Sequence, residues 1–137
     1  MAETHVTRTL DVTPDALWRC VRAFDHTPWV PGAAPDIRGK GVGQVRIFAR
    51  PNLQIHERLE SVDDAARTLS YTIPIGMPFP ITAYRATMTV TDDRGRGRLA
   101  WSCTFEPDGV SADEVAVGIQ GAYRGMIDRI EEYLKKG

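Results

Sequence analysis

Apolar and polar positions alternate along most of the chain, and the period shifts to a helical one in two places. Residues 4–12, THVTRTLDV, alternate and carry β-branched side chains, which predicts a first strand. Thr13-Pro14-Asp15 then reads as a helix start. Thr supplies an N-cap oxygen, Pro suits the first helical position and Asp faces the positive end of the helix dipole. Leu17, Cys20, Val21 and Phe24 follow at helical spacing and predict one buried face. Pro28, Pro31 and Pro35 stop that pattern, so residues 26–36 are expected as a loop or a broken helical turn.

From residue 37 to residue 106 the period is that of strands. Strands are expected near 37–40, 44–50, 53–62, 67–75, 83–92 and 97–106. Turn residues separate them: Gly41 and Gly43, Pro51-Asn52, Asp63-Asp64, the stretch from Pro74 to Pro80, and Asp92 to Gly97. Connections this short require antiparallel neighbours, because a parallel crossover takes a dozen residues or more.

The helical period returns at the end of the chain. Ser111 and Glu114 form a Ser-x-x-Glu capping box. Val115, Ile119, Ala122, Tyr123, Met126, Ile127, Ile130 and Leu134 then share a face, and Glu131–Lys135 and Glu132–Lys136 have i, i+4 spacing. About 25 residues at roughly 1.5 Å each cross a whole sheet. One strand, short helices, six strands and one long amphipathic helix give an α+β chain in the order of a helix-grip fold. In that fold a curved antiparallel sheet wraps around the C-terminal helix. No repeat or linker interrupts residues 1–137, which are expected to form one domain.

Composition narrows the function classes. Hydrophobic residues at 42% and charged residues at 26% argue against disorder. Seventeen Lys+Arg against eighteen Asp+Glu leave a net charge of −1, without the basic surplus of a nucleic-acid binder. No apolar run approaches the roughly 18 residues of a membrane span. The N-terminal MAETHVTRTL lacks the basic and apolar segments of a secretory signal, and a cytoplasmic protein is expected. Cys20 and Cys103 are expected as reduced, packed thiols. His5, His26 and His56 have no metal-ligand spacing, so neither metal nor cofactor is expected.

Several segments together resemble the START/SRPBCC superfamily, in its polyketide cyclase/dehydrase-like branch. They are LDVTPDALWRCVRAF, Trp29-Val30-Pro31-Gly32, GVGQVRIF, HERLESVDD, LSYTIPIGMPFPITAYRATMTV and LAWSCTF ahead of the final helix. The resemblance implies an internal cavity for a hydrophobic or aromatic small molecule. It covers enzymes such as polyketide cyclases as well as lipid and hormone carriers. The apolar insert Met77-Pro78-Phe79-Pro80 departs from the commoner spacing at the expected cavity mouth.

Within that frame the strand around residues 54–62 is the most informative, because Ile55, Glu57 and Leu59 share one face. If the preceding hairpin closes through Pro51-Asn52, Arg46 falls opposite Glu57; a one-residue slip would bring it opposite Arg58 instead. Glu57 would then serve as general acid or base, with Arg46 stabilising a developing enolate. The same pair would equally serve as a buried ion pair that fixes the hairpin register. Tyr84, on a face with Ala86, Met88 and Val90, completes the catalytic candidates as a hydrogen-bond donor, or else is a core tyrosine. Trp29, Phe48, Ile55, Tyr71, Phe79, Met88, Trp101 and Tyr123 are the expected ligand wall. Trp29 is a candidate lid, and nearby His26 a candidate for proton transfer. Gly118, Gly121 and Gly125 form a stripe on the final helix that implies close approach by a strand, a loop or the second chain of a homodimer.

Overall fold

The computed structural model describes residues 1–136. Its frame is set by one long sequential path of hairpins. β1 (Ala2–Leu10) is followed by α1 (Pro14–Arg22), β2 (Asp36–Arg38), β3 (Val45–Arg50), β4 (Leu53–Asp63), β5 (Thr68–Ile75), β6 (Ile81–Asp93), β7 (Arg96–Pro107) and α2 (Ala112–Lys136). All neighbouring strands pair antiparallel in the order β1-β7-β6-β5-β4-β3-β2. The chain therefore meanders from β2 to β7, and β1 is laid against β7 along its whole length, from Ala2↔Phe105 to Leu10↔Gly97. This is the curved sheet and long C-terminal helix of the helix-grip fold.

Local chemistry accounts for the helix starts. Thr13 Oγ1 accepts from Ala16 N at 3.1 Å and Pro14 opens α1, while Ser111 Oγ accepts from Glu114 N at 3.2 Å ahead of α2. The buried face of α1 is Leu17, Trp18 and Val21; Cys20 is only half-buried, and Phe24 is buried beyond the helix end. On α2 the buried residues are Val115, Ile119, Tyr123, Ile127 and Ile130, and Ala122 is left more open than its place on the apolar face implied. Glu131 and Lys135 do not pair with each other. Glu131 accepts from the Asp11 backbone N–H at 2.9 Å and Lys135 meets the Asp11 carboxylate at 3.8 Å, which ties the end of β1 to the helix.

The β4–β5 register shifts between His56 and Arg58 and between Leu59 and Ser61, and two further irregularities involve β6. Between Thr82 and Arg85 β6 holds one residue more than β7 opposite it, and Ala83 there takes φ 55°. This bulge turns both Ile81 and Tyr84 inward although they are three residues apart. Pairing of β5 with β6 stops at Thr72↔Arg85, and beyond that point the two strands part. Both Pro74, which has no N–H to give, and the bulge at Ala83 oppose further pairing there.

Candidate functional site

The β3–β4 hairpin pairs Arg50 with Leu53, so its turn is Pro51-Asn52 and the count back places Arg46 opposite Glu57. Arg46 Nε donates to Glu57 Oε1 at 2.7 Å, and Arg46 Nη1 donates to the Phe24 carbonyl at 3.2 Å. The guanidinium lies over the Phe24 ring, 3.9 Å from its centroid. Side-chain exposure is 6% for Arg46 and 16% for Glu57, so both charges are largely removed from water and held against each other. The loop after α1 thus supplies both a carbonyl and a ring to position one cation.

Facing this pair is a line of phenols. Trp101 Nε1 donates to the Tyr71 hydroxyl at 3.2 Å, the Tyr71 and Tyr84 hydroxyls are 3.4 Å apart, and Tyr84 shares a short hydrogen bond with Tyr123. Trp101 and Tyr123 stack with ring centroids 4.5 Å apart and 13° between planes. An indole N–H can only donate, so the Tyr71 oxygen accepts from it and its own proton is free to point toward Tyr84. Burial, reinforced by the neighbouring phenols, pushes all three hydroxyls well above the ordinary tyrosine range, so each stays a neutral donor at physiological pH.

These groups border a cavity of about 140 Å³ between the sheet and α2. Of the residues expected at the site, Glu57, Arg46, Tyr84, Trp29, Phe48, Ile55, Tyr71, Phe79, Trp101 and Tyr123 all line it. Met88 does not: it is buried in the core, paired with Leu69 on one side and Trp101 on the other. His26 is exposed and absent from the lining, which removes the loop histidine from the site. The cavity also borders Ile73, Ala122 and Met126, which share faces with Tyr71 and Tyr123, Pro78 of the apolar insert expected at the mouth, and Arg50, for which the sequence carried no signal. A second hollow of about 490 Å³ opens where β5 and β6 part, and it shares Ile73 and Tyr84 with the cavity.

Of the three helix glycines Gly118 has the tightest neighbour, while Gly125 has only Arg129 of its own helix, 3.5 Å from where a Cβ would lie. A Cβ on Gly118 would meet the Phe79 ring at 3.2 Å, so the apolar insert rests on the helix where side-chain bulk is missing. Gly121 has nothing within 4 Å. Burial pushes the Cys20 thiol up to about 11 and raises Cys103 as well; both cysteines are free. Among the described residues no helix is long and apolar enough to cross a membrane. None of them form a cluster of three or more His, Cys, Asp or Glu side chains placed for a metal ion.

A helix-grip sheet around a long C-terminal helix, with a hollow between them, is the architecture of the START/SRPBCC superfamily. The chain belongs to the family described as polyketide cyclase / dehydrase and lipid transport, which matches it over residues 1–135. Among solved structures it is similar to the protein XoxI from Bacillus cereus, at 28% identity and TM-score 0.82, over 98% of this chain and 96% of that one. Ara h 8.0201 superposes at TM-score 0.82 with 22% identity over 99% of both chains. Norcoclaurine synthase from Thalictrum flavum does so at TM-score 0.79 and 19% identity, over 99% of this chain and 87% of that one. At those identities the last two show the fold alone. No curated protein matches the sequence.

Proposed function

We propose that the cavity binds a hydrophobic, aromatic or polyketide-like small molecule and carries out an acid/base step on it, of the cyclisation or dehydration class. The observation that carries this reading is the meeting of one carboxylate, two guanidinium groups (Arg46 and Arg50) and three neutral phenols on an otherwise largely apolar wall, the make-up expected of a ligand site. In a dehydration, Glu57 takes the proton from the carbon next to a ligand carbonyl. The electron pair moves onto the carbonyl oxygen, where Arg46 and the Tyr84 hydroxyl stabilise the enolate. The enolate then reforms the carbonyl and a carbon–carbon double bond. The β-hydroxyl leaves as water with the proton that Glu57 returns.

The test is deuterium uptake at the methyl carbon of acetophenone in D2O, followed by proton NMR. Wild-type protein is expected to accelerate exchange, and Glu57→Gln to remove roughly 10²–10⁴ of that acceleration while acetophenone still binds. Binding without exchange in the wild type refutes catalysis and leaves a carrier or sensor. That second reading is favoured by the bond between Glu57 and Arg46, which engages the carboxylate before any ligand arrives.

A further inference from the structure

The volume and the charge of the cavity together limit what it takes. We infer that the ligand is an uncharged molecule of a single aromatic or cyclic ring that carries a carbonyl or phenolic oxygen; this rests on the ligand-binding reading above and narrows it. About 140 Å³ is close to the size of dry engineered cavities of about 150 Å³ that accept benzene. The cavity is open on one side and adjoins the larger hollow across Ile73 and Tyr84, so a fused two- or three-ring skeleton fits only by reaching out of it. The wall itself is aromatic on several sides, with Phe48, Tyr71, Trp101 and Tyr123 from three strands and the helix.

Charge selection follows from the ion pair. Arg46 reaches into an apolar hollow, and alone it would call for an anion. Glu57 at 2.7 Å already compensates it, and Arg50, the other cation on the wall, is half-buried beside the hairpin turn, so around the buried pair the hollow carries no net charge and a carboxylate there would meet Glu57 unpaired. A ligand cation would meet Arg46 in the same way. What remains on offer is hydrogen bonding. Two of the five guanidinium N–H groups are engaged by Glu57 and Phe24, and the three phenols spend two protons on one another and keep one to offer. Donors outnumber acceptors, which selects an oxygen that accepts.

The experiment is calorimetric titration of the full chain at pH 7 with five matched probes: acetophenone, ethylbenzene, benzoate, benzylamine and 2-acetonaphthone. Acetophenone is expected to bind at one site. Benzoate, benzylammonium and 2-acetonaphthone are each expected to bind roughly tenfold weaker or less, and ethylbenzene weaker by the loss of its oxygen. Glu57→Gln is expected to reverse the order of acetophenone and benzoate, because Arg46 then lacks its counter-charge. Phe79→Ala, at a half-buried wall position, is expected to admit 2-acetonaphthone. Equal or tighter binding of 2-acetonaphthone by the wild type overturns the size limit, and equal or tighter binding of benzoate overturns the neutrality. Either result leaves ligand binding itself standing. Absence of saturable heat with all five probes overturns the ligand-binding reading, and this inference with it.

Discussion

Arg46 and Glu57 face each other across β3 and β4 at 2.7 Å, and the guanidinium is clamped on its far side by the ring and carbonyl of Phe24. One ion pair therefore joins three things: the hairpin register, the loop after α1 and the cavity wall. Arg46→Met or Glu57→Leu leaves the other charge buried and uncompensated, and is expected to cost about 3–5 kcal/mol in urea unfolding. The double substitution Arg46→Met with Glu57→Leu is expected to recover most of that, since an apolar pair of similar volume needs no compensation. Single substitutions costing under about 1 kcal/mol would show that water screens the pair.

The phenol line predicts a steep alkaline limit. Tyr71, Tyr84 and Tyr123 are all raised by burial, so the native state keeps three protons that the unfolded chain gives up near pH 10. Their contribution is fully present below pH 10 and is lost as pH rises toward the folded-state values. Well above pH 10 each phenol removes about 1.4 kcal/mol per pH unit, or roughly 4 for the three. Thermal unfolding between pH 9 and 11.5 should show this slope, with phenolate absorbance from these residues appearing together with unfolding. Tyr84→Phe with Tyr123→Phe should remove about two-thirds of the phenol share of the slope, the thiols of Cys20 and Cys103, also raised by burial, adding to what is left.

Much of this was legible from residue order, for reasons that differ by position. Strand alternation and a two-residue turn determine which face Glu57 takes and what lies opposite it, so the Arg46 pairing followed from counting. Tyr71, Trp101 and Tyr123 were legible as apolar-face residues, but their mutual hydrogen bonds were not, because contacts between β5, β7 and α2 have no trace in local periodicity. Met88 has the same alternation as Tyr84, yet it lies farther along β6, away from the region where β5 and β6 part and the cavity opens. Period gives the face and leaves depth along the strand open. The position of Arg50 at the wall depends on how the sheet curves, which no single segment encodes.

The glycines of α2 looked alike in sequence and should behave differently. Gly121→Ala meets no atom within 4 Å and is expected to stabilise the protein by about 1 kcal/mol, the ordinary gain inside a helix. Gly118→Ala places its methyl 3.2 Å from the Phe79 ring, so displacement of that ring offsets the same gain. Because Phe79 lines the cavity, Gly118→Ala should also change acetophenone affinity, whereas Gly121→Ala should leave it alone. Equal effects of the two on stability and on affinity would refute the contact.

The bulge in β6 offers the last test, because it holds a non-glycine residue in left-handed backbone. Ala83 has φ 55° and is exposed, so its Cβ contributes strain without burying anything in return. Ala83→Gly is expected to stabilise by up to about 1 kcal/mol, through relief of that strain set against greater freedom of the unfolded chain. Ala83→Val should destabilise by more than about 1 kcal/mol, since a β-branched residue adopts this region least well. Both can be read from thermal unfolding midpoints. The order Gly above Ala above Val is the reverse of strand propensity, so a ranking with Val on top would mean that residues 82–85 pair regularly with β7. In that case Ile81 and Tyr84 could not both face inward, and the phenol line would lose its middle member.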